Sequence, residues 1–371
     1  MDSTLVSDYQ YDLDRIVSSI VAVGRRWASP DYPLRAQAVE ETLGCPNRFS
    51  LEAITFALNQ QFSLLDEHRL RTWLGRRQAE TPLAVGVLNA GNVPLAGLQD
   101  LLAVLMCGHS YFGTVSSKSP MLLPAFVDDL VSEYDGVTAV FAPVEDVVEA
   151  VDAIIAAGSD GTIDWVLESC RAAGIHSRNQ LLRGHTYSVG VVGRDEPARV
   201  WSGLAEDILL HEGLGCRNVS ILWAPRDSSP DELLSEMARF RAVFPGHSRT
   251  IASLKMPIAF ASASGNPSAH ADDGSFLVTK GPAEPQQPGH LRWVEYDKIA
   301  EVELALDRII DRIQVLVCPE YIALRTSRSP LTIRPGFAQR PSLDWQPSGR
   351  DTMDFLCNLE SDASEDDTDS V

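Results

Sequence analysis

Between residues 83 and 159, short apolar runs alternate with amphipathic stretches at the spacing of βαβ units, which restricts this chain more than any other feature. Residues 83–89 form a run of the kind buried in a parallel sheet, and a loop through Asn92 and Pro94 follows. An apolar helix over 95–106 then ends at Gly108, the residue type that closes helices. A second strand is expected at 110–115, and 116–120 opens a helix that runs to residue 130. A third strand at 137–142, a helix to residue 150 and a fourth strand at 153–156 bring the chain to Gly158 and Ser159. This order predicts a doubly wound parallel sheet. No G-x-G-x-x-G occurs, so a dinucleotide on this sheet would be held without that glycine fingerprint.

Residues 1–80 read as helical, broken at Pro30, Pro33 and Pro46. The alternation restarts with strands expected at 187–192, 219–223, 258–261, 291–294 and 315–317, and helices at 230–243 and 300–313. Residues 262–290, rich in Ser, Gly and Pro, read as a long loop. Two α/β domains are expected, without internal repeats.

The formal net charge of -20 over 371 residues argues against sequence-independent binding of nucleic acid, which needs basic surface. Six of the acidic residues lie between Glu360 and Asp369, so the C-terminal end reads as a solvated, disordered tail. No apolar stretch approaches the roughly 18 residues of a membrane span. The start lacks a signal-peptide pattern, and a cytoplasmic protein is expected. None of the six cysteines forms a C-x-x-C pair and no His cluster joins them, so no zinc site is expected.

Cys216 lies between Gly215 and Arg217, ahead of a predicted strand. Free backbone and a neighbouring cation favour a reachable thiolate; the alternative is a small buried thiol. Asn92 lies at the carboxyl edge of the first sheet, where an amide can stabilise an oxyanion or simply make an Asx turn before Pro94. Ser116-Ser117-Lys118 and Gly158-Ser159 each follow a strand, where they could hold a phosphate or cap a helix. His211, five residues before Cys216, could serve as its base or be a solvent-facing helical histidine.

In order and spacing these pieces resemble the aldehyde dehydrogenase superfamily, and within it the acyl-CoA reductases of the LuxC type. The blocks 83–120 and 211–225 carry the resemblance most specifically, and it extends from about residue 80 to residue 357. It implies an aldehyde dehydrogenase-like fold of two doubly wound α/β domains. The Rossmann-like cofactor domain would occupy 1–183 with its helical N-terminal region, and the catalytic domain 184–333. A C-terminal return and oligomerisation segment would follow at 334–358, then the acidic tail at 359–371, in a homo-oligomer.

The resemblance also implies Cys216 as nucleophile and Asn92 as its oxyanion donor. Thr114, Ser116, Ser117, Lys118, Gly158, Ser159 and Glu284 would contact the cofactor, Glu284 through a ribose. Where hydrolytic members carry a general-base glutamate this chain has Leu182, which cannot activate water. The family's ribose-binding lysine becomes Thr114 and a nearby glutamate becomes Ser117, which relieves repulsion of a 2′-phosphate that Lys118 could pair with. The expected activity is reduction of an acyl-CoA to an aldehyde with NADP(H), coenzyme A being the leaving group. An acyl phosphate reductase, a cysteine acyltransferase and a non-catalytic scaffold are the alternatives.

Overall fold

Asp12 accepts the backbone N–H of Arg15 and so starts α1 (Leu13–Ala28). Its Ile16, Val17, Ile20, Val23 and Trp27 recur at helical spacing and are buried. Pro33 occupies the first turn of α2 (Pro33–Leu43), where its missing N–H costs nothing. α3 (Leu51–Phe62) and α4 (Glu67–Leu74) complete the helical N-terminal region. The computed structural model describes residues 12–265 and 268–360; the acidic tail expected from 359 lies outside them beyond Glu360. The chain forms two units, the first comprising Met1–Pro46, Phe56–Gly184 and Ser342–Val371, the second Asn47–Thr55 and His185–Pro341.

In the first unit the chain runs through β1 (Ala84–Leu88), α5 (Leu98–Met106), β2 (Ser110–Gly113), α6 (Leu122–Glu133), β3 (Ala139–Phe141), α7 (Val144–Glu149), β4 (Ala153–Ala157), α8 (Asp160–Ala173) and β5 (Gln180–Arg183). The strands pair in the order β3-β2-β1-β4-β5, all parallel. Strand order reverses between β1 and β4, which opens a crevice at their carboxyl ends. The loop bearing Asn92 and the Gly158-Ser159 turn leave those two ends. Residues 116–120 stay in a loop, and α6 begins only at Leu122.

The second unit contains β6 (Tyr187–Val191), α9 (Ala198–Leu209), β7 (Val219–Pro225), α10 (Asp231–Val243), α11 (Ser248–Ser264), β8 (Ser268–His270), β9 (Leu277–Lys280), β10 (His290–Tyr296), α12 (Ile299–Ile309), β11 (Ile313–Val317) and β12 (Thr332–Ile333). Its sheet runs β12-β11-β6-β7-β10-β9-β8, parallel except for β8 against β9. Alternation along β7 sends Leu222 and Ala224 to one core and Ile221 and Trp223 to the other, so both faces are covered. Residues 258–261, expected as a strand, lie in α11. A four-residue apolar run suits either element, and Pro257 sits inside that helix. The expected long loop at 262–290 contains β8 and β9.

The last helix, α13 (Thr352–Cys357), belongs to the first unit. Gln99 donates to the carbonyls of Leu343 (2.8 Å) and Trp345 (2.7 Å), and a ring nitrogen of His109 lies 2.9 Å from the Leu356 carbonyl. The Cys107 and Cys357 sulfurs are 3.3 Å apart, both as free thiols.

Candidate active site

Helix α9 ends at Leu209, and the side chain of Asn218 receives that end. Its amide donates to the carbonyls of Asp207 (3.1 Å), Ile208 (3.3 Å) and Leu210 (2.8 Å), satisfying groups that a helix terminus leaves open. Its carbonyl accepts the Gly215 N–H at 2.8 Å, while the Asn218 N–H donates to the Gly215 carbonyl at 3.0 Å. The second bond closes a β-turn with Cys216 and Arg217 at its centre. The Ser188 hydroxyl donates to the Cys216 carbonyl at 2.9 Å. The turn leads into β7 at Val219, so the half-buried Cys216 sits at the amino edge of the second sheet.

Arg217 is buried, and its guanidinium donates to the Ala338 carbonyl. Asp207 fixes that acceptor by taking the N–H groups of Gly336 (2.7 Å) and Ala338 (2.9 Å). Burial brings Arg217 down to about 10, against the opposing pull of the Cys216 sulfur and Asp207. It therefore stays charged at neutral pH and favours the thiolate beside it. Burial likewise pushes Asp207 up to about 7, offset in part by the two N–H groups and Arg217. His211 is not on a solvent-facing helix. The chain turns out of α9 into left-handed backbone there (φ 53°) and packs the ring inside. Burial holds it down to about 4, which makes it a poor acceptor for the Cys216 proton.

In the first unit, the Asn89 amide donates to the Tyr111 hydroxyl (2.6 Å) and the Thr114 carbonyl (3.0 Å), joining the ends of β1 and β2. Thr114 returns a hydroxyl acceptor to the Asn89 N–H at 3.1 Å. Gly97, at φ 96°, has no room for a side chain, because a Cβ would lie 1.9 Å from the side-chain Oδ1 of Asn89. The Asn92 loop also packs on Ser116, whose hydroxyl would lie 1.8 Å from a Cβ on Gly91. Together these segments line a shallow, open recess with apolar walls from Leu95, Leu123 and Phe141 and hydroxyls from Thr114, Ser116 and Ser119. Ser117 and Lys118 are exposed on the next residues. Ser159 caps α8, accepting the Thr162 N–H at 3.2 Å. Glu284 is exposed on the β9–β10 loop of the second unit.

The sequence model of the acyl-CoA reductase (LuxC) family matches residues 9–245, more than half of the chain. The chain belongs to this family. It is 24% identical over 271 residues to long-chain acyl-protein thioester reductase 2 of Photobacterium leiognathi, and 24% identical over 269 residues to the long-chain acyl-protein thioester reductase of Aliivibrio fischeri. Each match covers 63% of this chain and 55% of the relative, so this LuxC family member spans about half the length of the curated relatives it matches. Among solved structures it is similar to an oxidoreductase from Marinobacter aquaeolei (TM-score 0.65, 11% identity, 85% of this chain and 75% of that one). It is also similar to the indole-3-acetaldehyde dehydrogenase AldA of P. syringae, solved with NAD+ and IAA (TM-score 0.62, 14% identity, 84% and 72%). The fold is aldehyde dehydrogenase-like, with two doubly wound α/β parts. Among the described residues no helix is long and apolar enough to cross a membrane, and no group of His, Cys, Asp and Glu could hold a metal.

Sequence reasoning missed the residues that hold the cysteine turn: Ser188, Asp207, Asn218 and the turn at 336–338. Only the Gly215-to-Asn218 spacing carries a turn signal; the others are set by tertiary packing with no local pattern.

Proposed function

We propose that this chain reduces an acyl thioester to an aldehyde through a covalent thioester on Cys216, with NADPH as the reductant. The observation that carries the reading is the closed β-turn that holds Cys216 half-buried next to the buried Arg217 cation. A charge kept out of water acts strongly on a neighbouring sulfur, and a thiolate is the nucleophilic form.

Cys216 attacks the acyl carbonyl and the carrier thiol leaves, so that the acyl group becomes a thioester of the protein. The backbone N–H of Cys216 is one oxyanion donor, and the amide of Asn92 is the one that the family resemblance assigns. Leu182 stands where a water-activating carboxylate would be, so nothing at that position hydrolyses the thioester. Thr114, Ser116, Ser117 and Lys118 would hold the nucleotide, with Lys118 toward a 2′-phosphate; Gly158, Ser159 and Glu284 are assigned with them by resemblance. The recess lies at the carboxyl ends of β1 and β2, the edge where open α/β sheets bind ligands. The bound cofactor supplies hydride.

The donor is an acyl thioester on coenzyme A, as the family description gives it, or on a protein, as the names of the curated relatives give it. NADPH oxidation measured with acyl-CoA, acyl-protein and acyl phosphate in parallel assigns the donor. Oxidation with acyl phosphate alone would replace the thioester reading. Absence of rapid iodoacetamide alkylation at Cys216 would replace the covalent mechanism.

A further inference from the structure

Three successive residues ahead of the nucleophile turn, His211, Glu212 and Gly213, have φ of 53°, 60° and 71°. Left-handed backbone is disfavoured for residues with a Cβ, and a run of it persists only where the surroundings dictate it. Gly213 is needed in its place, since a Cβ there would lie 2.9 Å from the Gly289 nitrogen. Glu212 is different: it has a side chain, and that side chain is buried. One carboxylate oxygen accepts from Arg241 at 2.7 Å and the other accepts the His247 N–H at 3.1 Å. The two side chains are only 7% and 5% exposed. Arg241, in the last turn of α10, also reaches the carbonyls of Ser275 (3.3 Å) and Phe244 (3.4 Å).

Glu212 thus ties the left-handed segment at once to the end of α10 and to the cap of α11. A buried pair of this kind adds little stability beyond an apolar substitute, while losing one partner leaves an uncompensated buried charge, and in some proteins such a pair fixes one geometry. Three residues separate Glu212 from Cys216; Asn218 holds Leu210 and Gly215 on either side of residues 211–213, and Glu212 anchors the segment between them through its buried side chain.

We infer that Glu212 and Arg241 are positioning residues: their ion pair holds residues 211–213 left-handed and so aims the Cys216 turn. The inference rests on Cys216 being the nucleophile. Neither residue touches substrate; they act through the backbone, while Arg217 acts through charge.

The test uses the full chain with Glu212→Gln and, separately, Arg241→Lys, which keeps the charge and removes the fork. Alkylation of Cys216 by iodoacetamide is followed by peptide mass spectrometry, at a pH where the thiol is fully ionised, with Cys45 as internal control. Glu212→Gln should slow alkylation of Cys216 by about fivefold or more and lower kcat by about tenfold or more, leaving KM for NADPH and the Cys45 rate unchanged. Arg241→Lys should shift both in the same direction by less. A lowered melting temperature with both rates intact would overturn the inference, because a purely structural pair gives that result. If Glu212→Gln fails to fold, Arg241→Lys decides alone. If the wild type alkylates rapidly at Cys216 but reduces no acyl donor, the proposed reaction fails while the alkylation rates still decide the positioning role.

Discussion

In the first unit the candidate groups hang from loops that leave the carboxyl ends of β1, β2 and β4, whereas Cys216 of the second unit sits in a turn that enters the amino end of β7. The two are also held differently. Lys118 and Ser117 are exposed, and the Asn92 loop is shaped by Asn89 together with glycines that permit close approach. The Cys216 turn is fixed by buried side chains of Asn218, Arg217, Asp207 and Glu212, with Ser188 on its carbonyl. Topology alone makes a ligand crevice in an open sheet, so the first unit needs little side-chain scaffolding. The nucleophile we propose at Cys216 needs rotational and translational freedom removed, and the second unit holds its turn with polar groups kept out of water.

That contrast predicts effects of different kind and size. Asn92→Ala should lower kcat/KM for the acyl donor by about 10²- to 10³-fold, the scale of a lost oxyanion donor, with Cys216 alkylation unchanged. Equal turnover in that variant would remove Asn92 from the chemistry and leave the second unit to supply every oxyanion contact.

His211 gives a pH signature confined to the second unit. Burial holds its folded-state pKa down to about 4, against 6.5 for the free side chain. The unfolded chain therefore binds the proton first, and stability present above pH 6.5 is lost as pH falls toward 4. The full loss is about 3 kcal/mol. Denaturant unfolding of wild type and His211→Gln at several pH values should show a stability difference that narrows by that amount; a flat difference would place the ring in contact with water.

Arg217→Met should raise the pH midpoint of Cys216 alkylation by about one unit or more, the size expected when a close cation is withdrawn from a thiolate. An unmoved midpoint would mean that the turn positions the sulfur without charging it. The smallest effect belongs to the exposed side: Lys118→Ala should weaken NADPH binding by about 1 kcal/mol and leave NADH almost untouched, read as the ratio of the two KM values. Equal loss for both nucleotides would assign Lys118 to a contact other than the 2′-phosphate.

The same contrast explains what the sequence made legible. The strands β1, β2 and β4 are short apolar runs between turn residues, and their helices follow at βαβ spacing, so the first sheet could be read in order. Asn92 and Gly158-Ser159 followed from it, because a loop after a parallel strand must lie on the carboxyl edge. Cys216 was legible through Gly215 and Arg217. What holds it was not: Asp207 meets the N–H groups of Gly336 and Ala338, and Glu212 meets Arg241, pairings set by tertiary packing with no local pattern. His211 could be weighed only as a base or as a solvent-facing helical residue, because Asn218, which ends α9 at Leu209, acts from further along the chain. Residues 258–261 read as a strand because a four-residue apolar run suits either element, and α11 runs through Pro257 into it.

In the proposed reaction one cysteine, Cys216, carries the acyl group. NADPH oxidation with acyl thioesters of graded chain length, compared between wild type and Cys216→Ala, tests it most directly. The wild type should oxidise NADPH and Cys216→Ala should show no oxidation above background, with NADPH binding retained in both. Oxidation persisting in Cys216→Ala would contradict it, since hydride would then reach an acyl group that the protein had never held covalently at that sulfur.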